Sequence, residues 1–296
     1  CSSAVKVEVR DASNLVALVA GPTPVTVTAS GVAVGLFSDA ACTTALPGPL
    51  VLAVGGWTTS FYFSGTAPGS VTLTASAPGL SAAMQTQSIG AGPPSKLVFA
   101  STPRTATAGQ CSTLPVEVQT QDANSNPSTV TGAPLVVSLG VPASGFTLYS
   151  DAACATALGP SVTIPVGATT ASFYFRGNLA GPQTINASST PLTGAMQTQS
   201  ITAGPPAGLA FTVPPTTTTA GVAIAPAVQV AVQDALGNTV TTSTASITLA
   251  IGTNPSLGVL SGTLTVAAVA GVATFSGLAL DKTGVGYTLV ATSGVL

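Results

Sequence analysis

Ionisable side chains are what this sequence has least of. Six Lys plus Arg and eight Asp plus Glu make up 5% of its 296 residues, and there is no His; an average globular protein carries about 25% charged residues. Without His the chain lacks the commonest general base and the commonest metal ligand. A net charge of −2 with no basic cluster makes nucleic acid and anionic membrane poor electrostatic partners. Long hydrophobic runs are missing too. Mean hydropathy is +0.59, yet no run approaches the roughly 18 apolar residues of a spanning helix. The richest, near Val51 to Val54 and Val266 to Val272, are short and broken by Gly. The positive score is read as Ala and Val in short strands of a soluble chain, with no membrane insertion. Helical periodicity is absent as well, because Thr, Val and Gly are too frequent for it.

What the chain does have is repetition. Phe61-Tyr62-Phe63 recurs as Phe173-Tyr174-Phe175, Ala83 to Ile89 (Ala-Met-Gln-Thr-Gln-Ser-Ile) recurs as Ala195 to Ile201, and Ala91-Gly92-Pro93-Pro94 recurs as Ala203-Gly204-Pro205-Pro206. Ser38 to Cys42 maps onto Ser150 to Cys154, and Gln121-Asp122-Ala123 onto Gln233-Asp234-Ala235. A third, looser copy keeps the plan without the cysteines or the Phe-Tyr-Phe element. Such self-similarity implies one folded unit per copy. The expected domains are 1–92 (first strand missing), 93–204 and 205–296 (last strand missing). Pro93-Pro94 and Pro205-Pro206 are expected to act as stiff junctions, since proline holds an extended backbone and cannot donate to a sheet. Because both ends cut a repeat in mid-module, the 296 residues are read as a window on a longer polypeptide; the alternative is a fibre in which neighbouring copies supply the missing strands.

The four cysteines divide by repeat, Cys1 and Cys42 in the first, Cys111 and Cys154 in the second. Matching separations predict one disulfide per repeat, and with no His or Cys-x-x-Cys a zinc site is not expected. Disulfides imply an oxidising, extracytoplasmic setting. The start Cys1-Ser2-Ser3 also resembles a mature bacterial lipoprotein, but Cys1 stands where Cys111 stands, which favours the disulfide.

Runs of four to eight residues with alternating or β-branched character fill each copy, separated by turn residues. Val116 to Thr120, Leu135 to Leu139, Phe146 to Tyr149, Ser161 to Pro165, Ala171 to Arg176, Gln183 to Ala187 and Ala195 to Ile201 are the predicted strands of the second copy. In the third they are Val228 to Val232, Ile247 to Ala250, Gly262 to Val266, Val272 to Phe275 and Tyr287 to Thr292. Seven or so short strands in about a hundred residues predict an all-β fold of tandem immunoglobulin-like β-sandwiches in a linear array.

Gln233-Asp234-Ala235-Leu236-Gly237-Asn238-Thr239-Val240, followed by Gly271-Val272-Ala273-Thr274-Phe275, resembles the tandem bacterial immunoglobulin-like repeats of the invasin and intimin type. The resemblance covers essentially the whole chain and implies a secreted or cell-surface protein.

Catalysis would have to rest on paired carboxylates, which need two acids facing one cleft. Most of the eight acids recur at equivalent repeat positions, as structural residues do, so no catalytic residue and no enzyme activity is expected. Asp11, Asp122 and Asp234 each follow a strand and read as Asx-turn residues; calcium between repeats is the functional alternative, though no Asp-x-Asp cluster supports it and no metal or cofactor is expected. Asp39 and Asp151 precede Cys42 and Cys154 as turn residues. Strand alternation places Phe61, Phe63, Phe173 and Phe175 in the core and Tyr62 and Tyr174 on the opposite face. Tyr62, Tyr174 and Trp57 are the candidate ligand or packing contacts. The expected function is a structural or adhesive extracellular rod, stalk or filament, partnered by other copies of itself or by adjacent repeats. The alternatives are a module binding host or cell-surface glycan or a receptor through Tyr62, Tyr174 and the Asp39 and Asp151 loops, and a phage or virion decoration domain.

Overall fold

A computed structural model describes residues 1–142 and 145–294. The expected end of the third repeat at 296 lies outside the described residues. No helix occurs among them; the secondary structure is all strand. The first repeat holds β1 (Val5–Glu8), β2 (Thr23–Gly31), β3 (Val34–Phe37), β4 (Leu50–Leu52), β5 (Thr58–Gly65), β6 (Gly69–Ser76) and β7 (Ala83–Ile89). The second holds β8 (Lys96–Phe99), β9 (Thr105–Thr107), β10 (Val116–Gln121), β11 (Leu135–Gly140), β12 (Phe146–Tyr149), β13 (Ser161–Ile164), β14 (Thr170–Gly177), β15 (Gly181–Ser189) and β16 (Leu192–Thr202). The third holds β17 (Gly208–Val213), β18 (Val228–Gln233), β19 (Ser246–Ile251), β20 (Leu260–Ser261), β21 (Thr265–Ala267), β22 (Val272–Phe275), β23 (Ala279–Leu280) and β24 (Leu289–Thr292).

The chain divides into two compact units. One comprises Cys1–Lys96 with Thr120–Pro134 and Pro165–Thr169, and the other Leu97–Gln119 with Leu135–Ile164 and Thr170–Leu296. In the first unit the sheets are β1-β5-β3 and β4-β2-β6-β7. Phe61, Phe63, Val71 and Leu73 are buried between them, with Val5, Val27 and Leu36 packed alongside. Val9, Val19, Val25 and Leu52 form a second cluster.

In the second unit the order is β12-β14-β10-β8-β16-β15-β11-β13, with β9 added beside β16. The run from β8 through β10 and β14 to β12, opposed by β16, β15 and β11, reproduces the two sheets of an immunoglobulin-like sandwich. The two edge strands depart from the ordinary chain order: β12 pairs with β14 before β13 returns to pair with β11. The first repeat does the same, β3 on β5 and β4 on β2. The third repeat's sheets are β17-β18-β22, β21-β19-β24 and β20-β23, closed over Val228, Val230, Val232, Ile247, Leu249, Phe275 and Leu278.

Period-two alternation explains this core directly. Phe61 is 1% and Phe63 7% exposed, Phe173 and Phe175 are fully buried, and the intervening Tyr62 and Tyr174 are half-buried on the other face. Burying each such Phe contributes about 1.5–3 kcal/mol. Two expectations need correction. Gly262 to Val266 is not one strand: Gly262 has φ +108 to the nearest degree or two on the positive side, given as 107°, which ends β20 and displaces the next pairing to Thr265–Ala267. The short β9 is a strand the alternation did not mark, because Thr-Ala-Thr carries no large apolar residue.

Candidate functional site at the repeat junctions

The turn after β10 is built on one carboxylate. Asp122 Oδ1 accepts the backbone N–H groups of Asn124 and Asn126, both at 2.9 Å, which is the Asx turn its Asp-Ala-Asn-Ser-Asn sequence predicts. Its other oxygen accepts the N–H of Gly92, 30 residues upstream, at 2.8 Å. The Asn126 amide donates to both Asp122 oxygens, at 3.1 and 2.9 Å, and to Thr66 O at 2.7 Å. Ser128 Oγ donates to Gly92 O at 2.5 Å. The turn therefore grips the segment ahead of Pro93-Pro94 and a loop that precedes β6.

The same device is built again after β18. Asp234 Oδ1 accepts Leu236 N and Asn238 N at 2.9 Å each, and Oδ2 accepts Gly204 N at 2.8 Å, again 30 residues upstream. Asn238 Nδ2 donates to both Asp234 oxygens, at 3.2 and 2.9 Å, and to Asn178 O at 2.9 Å. Asn238 Oδ1 adds a bond from Ala180 N at 2.9 Å. Thr66 and Asn178 are repeat-equivalent positions, so both clamps hold the same loop.

These groups are withdrawn from water: Asp122 is 2%, Asp234 6% and Asn238 7% exposed. The Asn126 amide, with the N–H groups of Asn126, Gly92 and Asn124, holds the Asp122 carboxyl down at about 2 against the opposing effect of burial. For Asp234 burial is the largest influence and pushes upward, but the Asn238 amide and the N–H groups of Gly204, Asn238 and Leu236 outweigh it, leaving the pKa lowered. Every donor is an N–H, so the carboxylates are saturated by the protein itself. Among the described residues no three His, Cys, Asp or Glu side chains gather as a metal site would need.

Asp11 forms the turn without the clamp. Its Oδ1 accepts Ser13 N and Leu15 N at 2.9 Å, but Leu15 stands where Asn126 and Asn238 stand and is 66% exposed.

The disulfide turns form a second repeated constellation. Cys1 is bonded to Cys42 and Cys111 to Cys154, with Cα atoms 5.6 and 5.7 Å apart. Asp39 accepts backbone N–H groups from Ala41 (2.9 Å), Thr43 (3.2 Å) and Thr44 (2.6 Å); Asp151 accepts those of Ala153, Ala155 and Thr156. The Thr44 N–H is the main reason the Asp39 pKa falls to about 2. Both carboxylates thus point inward on their own turns, where they fix the half-cystines.

The candidate aromatic contacts lie in separate places. Tyr62 stands opposite Phe37 on β3, and Tyr174 opposite Tyr149 on β12, where Arg176 donates to Tyr149 Oη at 2.6 Å and lies 5.1 Å from that ring's centroid. Trp57, 38% exposed, precedes β5 and accepts Val9 N through its carbonyl at 2.9 Å.

No protein-family model and no curated protein matches the sequence. Adhesins are among the solved structures it is similar to. The chain is 17% identical to the Escherichia coli adhesin FdeC, over 98% of this chain and 87% of that one, with a TM-score of 0.41. It is 17% identical to Yersinia pseudotuberculosis InvD over 97% and 79% at 0.38, and 14% identical to invasin, a bacterial integrin-binding protein, over 99% and 54% at 0.37. A Bacteroides cellulosilyticus family 2 glycosyl hydrolase is similar over 57% of this chain and 21% of its own, at 14% identity and a TM-score of 0.32.

Reading each Asp as a local turn residue missed its reach across the junction. A signal was present: Gly92 and Asp122, and Gly204 and Asp234, keep the same 30-residue spacing, and each Gly opens a Gly-Pro-Pro.

Proposed function

We propose that this chain is a structural and adhesive extracellular repeat protein, a stalk or filament segment of three immunoglobulin-like modules at 1–92, 93–204 and 205–296, with no catalytic role. The observation that carries the reading is the duplicated clamp. A protein whose modules acted independently would need only flexible linkers, whereas here each Gly-Pro-Pro junction is held by a buried Asp–Asn pair bonded to the same upstream positions. The two disulfides and the six Lys plus Arg suit an oxidising, protease-exposed surface outside the cell. Its partners are other repeats, of this chain or of further copies, and a host or cell-surface ligand contacted by the array.

A shaft requires fixed joints, and the second joint can be measured. Spin labels at the exposed positions Val136 and Val290 report the distance across it. A narrow distance distribution that broadens in Asn238→Ala is expected. A broad distribution in the unaltered protein, or one that the substitution leaves unchanged, overturns the reading.

A further inference from the structure

One heptapeptide occurs in two surroundings. In the second repeat, Ala195 to Ile201 lie in β16 and are covered by the segment that opens the repeat. β8 lies between β10 and β16, and β9 runs parallel to β16 with Thr105, Ala106 and Thr107 opposite Ser200, Ile201 and Thr202. Gln199 Oε1 accepts Arg104 N at 2.6 Å and Gln197 Nε2 donates to Ser101 O at 2.6 Å. Under this cover Gln199 is fully buried and Ile201 is 2% exposed, while the covering segment buries Leu97 to 2% and Ala106 to 6%.

In the first repeat the same seven residues are β7, the edge strand of a four-stranded sheet. Gln85 is exposed and Gln87 and Ile89 are only half-buried. Beside them runs a cleft of 690 Å³ between residues 1–6, 63–65 and 85–90. Past Lys6 and Gln85 it meets a smaller one of 260 Å³ walled by Val5, Val7, Phe61, Leu73 and Met84. Polar edge and apolar floor together match a peptide strand. A purely apolar ligand would leave the free backbone groups of β7 and the Gln side chains unpaired.

We propose that this cleft is a strand-receiving site for an extended segment, presented by another polypeptide, of the type that opens these repeats. Its pattern is visible twice in this chain, as Lys96-Leu97-Val98-Phe99 with the tail Thr105-Ala106-Thr107-Ala108, and as Gly208-Leu209-Ala210-Phe211 with the tail Thr217-Thr218-Thr219-Ala220. Main-chain pairing to β7 gives affinity. The Gln85 and Gln87 amides read the incoming backbone as Gln197 and Gln199 do, and the Leu enters between Val5, Phe61 and Leu73.

The test adds a labelled peptide of the sequence 94–109 to the whole 296-residue chain. Saturable one-to-one binding by fluorescence anisotropy is expected, with slowed hydrogen exchange at the amides of Gln85 to Ile89. The same peptide carrying Leu97→Asp should bind at least roughly ten-fold more weakly, because the carboxylate must be desolvated in an apolar floor. No saturable binding, equal binding of the Asp peptide, or protection confined to strands other than β7 overturns the proposal. None of these results depends on the label distance across the second junction, so the two readings fail separately.

Discussion

At the scale of single residues, the chain concentrates its few charges where hydrogen bonds can neutralise them. Asp122 and Asp234 are buried and ionised because amide donors surround them, and their protonation weakens the junction they hold. An unfolded Asp titrates near about 3.9, and Asp122 is held at about 2. A folded-state value below the unfolded one adds stability that is fully present above the unfolded pKa and is lost as pH falls through the folded one. The amide of Gly92 should therefore stay protected from hydrogen exchange at pH 5 and lose protection between about pH 4 and pH 2. Gly204 should follow in the same direction, since Asp234 is also lowered. NMR-detected exchange measures both; protection lost near pH 6, or unchanged at pH 2, would contradict the assignment.

At the scale of elements, the sheets follow from alternation and turn chemistry, and both can be tested at Gly271. It precedes β22 with φ +80°, and a Cβ there would run into Val240 O and lie 2.9 Å from Thr239 Cγ2. Gly277, at φ +71°, has open space. Gly271→Ala should destabilise the third repeat by at least about 2 kcal/mol, combining left-handed strain with a backbone clash, and Gly277→Ala by only about 1 kcal/mol. Urea denaturation of the two variants compares them; equal losses would mean that the close approach to Val240 contributes nothing. The strands around these turns were legible in the sequence because one face is buried: Phe173, Phe175, Val116 and Val118 alternate with polar neighbours. The crossing of β12 and β13 between sheets was not legible, since each has an apolar face that either sheet could bury. The Asx turn at Asp122 was legible from five consecutive residues, but its bond to Gly92 joins segments 30 residues apart, and local pattern carries no information on such pairing.

At the scale of the whole molecule, scarcity of charge becomes a protease map. Five of the six Lys and Arg stand on or beside strands or are engaged: Lys6 lies in β1 and Arg176 in β14, Arg10 bridges Glu8 at 2.6 Å, Lys96 donates to Ser125 Oγ at 2.7 Å, and Arg104 donates to Pro115 O at 2.9 Å. Lys282 differs, being exposed in a strandless segment between β23 and β24. Proteases need a stretch of chain that can leave its hydrogen bonds and enter the active site extended, so exposed loops are cut before paired strands. Limited trypsin digestion should first cleave after Lys282, and mass spectrometry should find the fragment 1–282 accumulating before any other. Early cleavage after Lys96 would instead show that the Pro93-Pro94 junction opens readily, a behaviour the Asp122–Asn126 clamp is built to prevent.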